Sequence, residues 1–111
     1  MVKTETYIDK VSREKLKKEI HYHWNGKIQI EWYCLNGEWH RKNGPAIIWY
    51  YESGKIEKEI YFLNGMYHRK NGSAIISYYE NGDIEKEEYW EYGKEMDVLK
   101  EMVIRELKEN I

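Results

Sequence analysis

The sequence predicts a mainly β protein, an antiparallel meander of tandem β-hairpin repeats with a C-terminal amphipathic α-helix. Three observations lead to this prediction: a gapless internal repeat, turn signals inside each unit, and a change of hydrophobic periodicity near the C-terminus. The chain has 111 residues, about the size of one domain. We therefore expect one domain, 1–111, that consists of degenerate N-terminal hairpins (1–34), repeat 1 (35–62), repeat 2 (63–90) and a capping helix (94–110).

The internal repeat appears when residues 35–62 are aligned with residues 63–90. Of the 28 positions, 20 are identical, and no gap is needed. A weaker half-unit precedes them, because residues 26–28 match residues 54–56 at the same offset. Self-similarity at a fixed period is the signature of an architecture in which neighbouring units stack.

Each repeat contains three turn signals, which are Asn36-Gly37, Asn43-Gly44 and Ser53-Gly54 in the first and Asn64-Gly65, Asn71-Gly72 and Asn81-Gly82 in the second. Asn-Gly is favoured in tight hairpins because both residues tolerate positive φ. Runs rich in Ile, Tyr and Trp lie between the turns, and we expect strands near 4–10, 15–23, 28–34, 38–41, 46–51, 56–62, 66–69, 74–79 and 84–90. For residues 12–20, a helical turn or two is the alternative.

The C-terminal segment predicts a different structure. Residues 94–110 contain no Gly or Pro, and apolar side chains recur at three-to-four spacing at Met96, Leu99, Met102, Val103 and Leu107. This spacing is typical of an amphipathic helix. We expect the helix to cap the last repeat and to bury Leu99, Val103 and Leu107.

Differences between the repeats predict which side of the sheet is packed. The residues at 46, 48 and 50 recur unchanged one unit later, whereas Trp49 becomes Ser77. A core position rarely accepts a change from Trp to Ser. We therefore expect the side with Ala46, Ile48 and Tyr50 to be packed and the side with Ile47, Trp49 and Tyr51 to be open.

Composition argues against several classes of function. The 20 acidic and 18 basic residues are interspersed and give a net charge of −2, whereas a general nucleic-acid binder needs a basic face. No segment approaches the roughly 20 apolar residues of a membrane span, and the first residues lack the apolar region of a signal peptide. The single cysteine, Cys34, cannot form an internal disulfide. We expect a cytoplasmic protein that binds neither a membrane nor nucleic acid.

The residues also predict no catalysis, metal or cofactor. The four histidines lack the nearby Cys or Asp that would complete a four-ligand metal set. No base is indicated beside Cys34, and the glycines are isolated in turns rather than clustered before a helix.

The longest uninterrupted identity between the repeats is HRKNG, at 40–44 and at 68–72. In one interpretation these HRKNG segments bind phosphate or carboxylate groups, and the anion-binding residues are His40, Arg41, Lys42, His68, Arg69 and Lys70. In the other, each His is a hydrogen-bonding residue at a strand end that joins neighbouring turns, and the Arg and Lys side chains are solvated.

The repeat resembles the MORN-variant (HRxxGPA-type) tandem β-hairpin repeat proteins, which include bacterial antitoxin-like and phage proteins. The resemblance rests on Leu-Asn-Gly at 35–37, His-Arg at 40–41, Gly-Pro-Ala at 44–46 and Tyr-Tyr-x-x-Gly-Lys-Ile at 50–56. It covers residues 35–90 closely and residues 19–34 loosely. It implies stacked β-hairpins and a binding role.

We expect a non-catalytic protein-binding module that inhibits or neutralises another protein by occlusion: a phage-encoded inhibitor of a bacterial defence effector, or an antitoxin or immunity protein. An aromatic, acidic surface suits a basic effector such as a nuclease, because Tyr and Trp supply rigid contact area and Glu steers association. The expected contact residues are Trp39, Trp49, Tyr51, Glu57, Glu59, Tyr67, Glu85 and Glu87. Two alternatives remain: a module that sequesters a phosphorylated small ligand or nucleotide, and a scaffold that self-associates along its sheet edge into a homo-oligomer.

Overall fold

The computed structural model describes residues 1–96, and these residues form twelve strands. The strands are β1 (Val2–Ile8), β2 (Lys15–Tyr22), β3 (Ile28–Leu35), β4 (Glu38–Trp39), β5 (Ile47–Tyr50), β6 (Ile56–Ile60), β7 (Phe62–Leu63), β8 (Met66–Tyr67), β9 (Ile75–Tyr78), β10 (Ile84–Glu88), β11 (Trp90–Glu91) and β12 (Lys94–Glu95).

One antiparallel sheet runs through the molecule in the order β1-β2-β3-β5-β6-β9-β10, and β4 pairs with β3 beside it. Two short ribbons, β7–β8 and β11–β12, lie outside this path. The equivalent strands of the two repeats, β5 and β9, are separated only by β6. The predicted antiparallel meander is therefore confirmed, and both repeats belong to the same sheet.

The strand predicted over 56–62 is in fact two strands, because the chain leaves the main sheet at Tyr61. Phe62 then pairs with Tyr67 in the β7–β8 ribbon, whose turn has positive φ at Asn64 (49°) and Gly65 (79°). The strand predicted over 84–90 divides at Tyr89 in the same way. Residues 15–22 form a strand, so the helical alternative for residues 12–20 is wrong over that part.

The predicted C-terminal helix is wrong at its first residues. Lys94 and Glu95 form β12 and pair with β11, because Tyr92 and Gly93 adopt positive φ (48° and 78°) and reverse the chain. The start of a third repeat therefore replaces the start of the helix. The rest of that prediction, including Leu99, Val103 and Leu107, lies outside the described residues.

A β-bulge recurs at the same place in three hairpins. Tyr50 pairs with Ile56 and Trp49 with Lys58, which leaves Glu57 as the extra residue of β6. Gln29 in β3 and Glu85 in β10 hold the same place at the 28-residue offset. A bulge interrupts the alternation of side chains between the two faces of a sheet. Glu57 and Glu59 therefore do not follow the simple alternation of an unbroken strand.

One apolar cluster lies around Ile30, Ala46, Ile47 and Phe62, with Trp32, Ile60 and Tyr67 packed against it. The prediction that Ile47 marks an open side is wrong, because Phe62 of β7 and Tyr67 of β8 pack over it. Ala46 is buried as expected. Ile48 is also buried as expected, on the face opposite Ile47, since its directly paired neighbours are Glu31 and Glu59. Buried apolar side chains therefore lie on both faces of the sheet.

Candidate functional site

A groove opens on the face of the sheet that carries Ile30 and Ile47. It has a volume of about 460 Å³, and its walls include Trp32, Trp39, Ile47, Trp49, Ile60 and Tyr67. We call it the aromatic groove. Trp39 and Trp49 remain 44% and 38% exposed, which is unusual for side chains of this size and leaves ring surface available for contact.

Strand pairing and ring packing build this groove. Ile30 pairs with Trp49 and Trp32 pairs with Ile47, so these four side chains share one face of β3 and β5. Phe62 lies below, with its ring centroid 5.2 Å from that of Trp39 and 4.8 Å from that of Tyr67. Because three aromatic rings brace one another, the groove wall is held by packing rather than by a loop.

The groove brings together three of the eight expected contact residues, namely Trp39, Trp49 and Tyr67. It also contains Trp32 and His21, whose rings lie 4.8 Å apart and which sequence analysis did not include. The repeat pattern does point to Trp32, because Trp32 aligns at the 28-residue offset with Ile60, which also lines the groove. The structure places both of these residues on the groove wall.

Three other expected contact residues lie at the hairpin ends. The Tyr51 hydroxyl donates a hydrogen bond to the Tyr78 carbonyl oxygen at 2.6 Å, which ties the end of repeat 1 to repeat 2. Partial burial, with the nearby carboxylates of Glu57 and Glu85, raises the pKa of Tyr51. Both carboxylates are exposed. Tyr51, Glu57 and Glu85 thus form an acidic cluster that is separate from the aromatic groove.

The last two expected contact residues, Glu59 and Glu87, accept hydrogen bonds from tyrosines. The Tyr78 hydroxyl donates to Glu59 at 2.5 Å and the Tyr89 hydroxyl to Glu87 at 2.8 Å. Burial and the bond to Glu59 raise the pKa of Tyr78 to about 12. Glu59 lies on the face opposite the groove, beside Ile48 and Ile76. Glu59 bonds across the sheet and Glu87 bonds to a tyrosine two residues away, and neither joins the three aromatic residues of the groove.

The histidines of the HRKNG segments connect each repeat to the chain that follows it. His40 Nδ1 accepts a hydrogen bond from the Asn64 amide at 3.0 Å, and His68 Nδ1 accepts one from the Tyr92 amide at 2.9 Å. An amide can only donate, so Nε2 must carry the ring proton in both neutral histidines. His40 Nε2 then donates to Glu14 at 2.9 Å. For the histidines, this arrangement matches the interpretation in which each His joins neighbouring turns by hydrogen bonds.

The arginines of the same segments fold back on their own turns. Arg41 Nη1 donates to the Pro45 carbonyl oxygen and Arg69 Nη1 to the Ser73 carbonyl oxygen, each at 3.2 Å. The Arg41 guanidinium lies 4.0 Å from the ring centroid of Tyr33, a cation–π distance. Arg69 lies at 4.1 Å from the Tyr61 ring in the same way.

A second cleft, of about 520 Å³, lies between the two HRKNG segments, and we call it the basic cleft. Five of the six expected anion-binding residues line it, namely Arg41, Lys42, His68, Arg69 and Lys70. The sixth, His40, is only 1% exposed and bonds to Glu14, so it does not face the cleft. Anion binding by the other five stays a prediction.

No group of three or more His, Cys, Asp or Glu side chains within residues 1–96 is placed to hold a metal ion. In the same part of the chain, no helix is long and apolar enough to cross a membrane. Burial raises the pKa of the Cys34 thiol, which disfavours the nucleophilic thiolate. No protein-family model, curated protein or solved structure matches the chain.

Proposed function

We propose that this chain is a non-catalytic protein-binding module, and that it inhibits or neutralises another protein by covering part of it with the aromatic groove. The observation that carries the proposal is the convergence of Trp39, Trp49 and Tyr67 on one groove whose rings are partly exposed. Three residues that are dispersed in the sequence form one contact surface. Trp and Tyr are enriched among the residues that dominate the energy of protein interfaces.

The groove is suited to a protruding side chain of a partner protein. Its walls are apolar rings fixed by neighbouring rings, so little conformational entropy is lost when a partner docks. Truncation of one such ring at an interface commonly costs about 2 kcal/mol or more of binding free energy. That cost corresponds to more than a tenfold loss of affinity.

The acidic cluster favours a basic partner. Glu57 and Glu85 are exposed at the hairpin ends, and the whole chain has a net charge of −2. Exposed charges of one sign steer an oppositely charged protein toward a surface and raise the association rate. We therefore propose a basic effector, such as a nuclease, as the partner that is covered. A phage-encoded inhibitor, an antitoxin and an immunity protein would each act in this way.

A pair of tryptophan variants tests the proposal. Trp49→Ser removes a groove ring, whereas Trp24→Ser removes a ring that is 85% exposed and outside the groove. Capture from host lysate should yield a protein that binds wild type and Trp24→Ser but not Trp49→Ser. Calorimetry with that purified protein should then show at least a tenfold weaker complex for Trp49→Ser and a change below about twofold for Trp24→Ser.

Other results would contradict the proposal. Equal losses for the two variants would mean that the groove is not the contact surface. If sedimentation shows that wild type is an oligomer which Trp49→Ser dissociates, the occupant of the groove is a second copy of the chain, and the scaffold alternative replaces the proposal. Thermal unfolding of each variant confirms beforehand that it is folded.

A further inference from the structure

We propose that the basic cleft binds the phosphate group of a small phosphorylated ligand. The cleft is a second site, lined by residues other than those of the aromatic groove except for Phe62, and it goes beyond the protein-binding role. Phosphate is the shared chemistry of two sources, free inorganic phosphates and nucleotides.

The charge of the lining is the first argument. Arg41, Lys42, Arg69 and Lys70 line the cleft with His68, and no carboxylate of residues 1–96 is among its lining residues, although the chain has more acidic than basic residues. Within residues 1–96, no carboxylate lies within 4.0 Å of either arginine, and Lys42 contacts Glu14 at 3.8 Å. Positive charge is therefore concentrated in the cleft with little local neutralisation.

The second argument is that the two guanidinium groups are held in place before any ligand arrives. Each bonds to a carbonyl oxygen of its own turn and stacks on a tyrosine ring. Space for this is made by glycine, because a Cβ at Gly44 or Gly72 would come within 3.0 Å of the guanidinium carbon. A preorganised cation loses little entropy when an anion binds.

Both arginines act on the same wall of the cleft. Burial raises the pKa of the Tyr61 hydroxyl and the Glu59 carboxylate adds to the rise, whereas the positive charges of Arg69 and Arg41 oppose it. Arg41 belongs to repeat 1 and Arg69 to repeat 2, so their fields meet at Tyr61 between the two repeats. The cleft requires two successive HRKNG segments.

The remaining walls indicate the size and kind of ligand. Tyr61, Phe62 and Leu63 supply apolar surface beside the cations, in a volume of about 520 Å³. Arg and Lys are the usual phosphate-binding side chains. An aromatic wall next to them can stack a base, so a nucleotide uses more of this cleft than inorganic phosphate does.

Calorimetry with pyrophosphate and with ATP tests the proposal on the full chain at low ionic strength, where exposed charges are least screened. Lys42→Gln combined with Lys70→Gln removes two exposed cations of the cleft. Lys55→Gln combined with Lys86→Gln is the matched control, because it removes two exposed lysines elsewhere and changes the net charge equally.

We expect both probes to bind wild type, with at least a tenfold loss in the cleft variant and less than a twofold change in the control variant. Tighter binding of ATP than of pyrophosphate would assign the nucleotide source, and equal affinities would assign free phosphates. Absence of binding by both probes, or equal losses in the two double variants, would overturn the proposal. Trp49→Ser should leave phosphate binding unchanged, so this site and the aromatic groove can fail independently.

Discussion

Repeat 1 and repeat 2 share 20 of 28 residues but differ in their surroundings. His40 is 1% exposed, whereas its equivalent His68 is only half-buried. Ile56 is half-buried, whereas Ile84 is 52% exposed. Repeat 1 has sheet on both sides, while within residues 1–96 the strand β10 of repeat 2 is an edge. Position in the stack, more than local sequence, sets how deeply an equivalent side chain is buried.

The N-terminal hairpin explains much of this difference. Asp9, which is 2% exposed, accepts a hydrogen bond from the Asn43 side chain at 2.8 Å, and Glu14 accepts one from His40. The backbone amide of Ser12 holds the pKa of Asp9 below its usual value, although burial acts in the opposite direction. The residues 28 positions after Asp9 and Glu14 are Gly37 and Lys42, which offer repeat 2 no such carboxylates.

The largest expected effect separates the two histidines. His40→Ala removes a buried side chain that donates to the Glu14 carboxylate and accepts from the Asn64 amide, so it should cost about 2–4 kcal/mol of unfolding free energy. His68→Ala removes one partly exposed hydrogen bond and should cost about 0.5–1.5 kcal/mol. Urea denaturation of both variants measures the difference. Equal costs would show that position in the stack does not govern stability.

A smaller effect is expected at the tyrosines that bond to glutamates. Tyr50→Phe removes the hydroxyl that donates to the buried carboxylate of Glu31, while the ion pair of Glu31 with Lys18, at 3.5 Å, remains. It should cost about 1–2 kcal/mol of unfolding free energy. Tyr78→Phe removes the donor to the less buried Glu59 and should cost about 0.5–1 kcal/mol. Thermal unfolding at neutral pH ranks the two variants. The opposite order would contradict the difference in burial of the two carboxylates.

The same tyrosines predict a loss of stability in alkali. Burial first, and then the neighbouring carboxylates, raise the pKa of Tyr50 and Tyr78 above the usual value of 10.0. A raised pKa means that the folded state holds the proton more tightly than the unfolded state. The contribution of each protonated tyrosine to stability is therefore complete below about pH 10. It is lost as the pH rises through the pKa of the folded state, which is about 12 for Tyr78. A pH titration of unfolding should show a shallower alkaline decline in the Phe variants.

The smallest expected effect comes from making repeat 2 more like repeat 1. Ser77 is half-buried between Lys58 and Lys86, so Ser77→Trp places a ring on a surface without displacing core atoms. We expect the unfolding free energy to change by less than about 1 kcal/mol in either direction. A cost well above that, measured by urea denaturation, would show that the equivalent positions are not interchangeable.

The meander could be predicted because the period, the Asn-Gly turns and the strand-forming runs all indicate the same structure. The positions where strands leave the sheet could not be predicted, since the departure of Phe62 depends on contacts with Trp39 and Tyr67. The side with Ala46 and Ile48 is buried as predicted, but the side with Ile47, which was expected to be open, is packed as well. The change from Trp49 to Ser77 correctly marked an exposed position, because Trp49 lies at the rim of the groove. Ile47 shares the same face but is buried in the apolar cluster.

The candidate sites were predictable to different degrees. The six HRKNG residues lie in two short segments, so their convergence on one cleft follows from stacking, apart from His40, which is buried by the N-terminal hairpin. The aromatic contact residues were chosen by type, and pairing registers decided which of them meet. The bulge at Glu57 and the hydrogen bond of Glu59 separated the expected carboxylates from the groove, and neither feature has a signal in residue type.

The forward bonds of the histidines have a consequence for how a chain of this kind can change its length. Each bond spans 24 residues, from His40 to Asn64 and from His68 to Tyr92, so deletion of residues 63–90 would place Tyr92 where Asn64 now stands. Whole 28-residue units can therefore be lost or gained while every remaining junction keeps its partner. Loss or gain of only part of a unit would instead shift these positions and leave a histidine without its amide donor. Loss of one unit would preserve the junction at His40 and abolish the basic cleft, because the cleft draws on two copies.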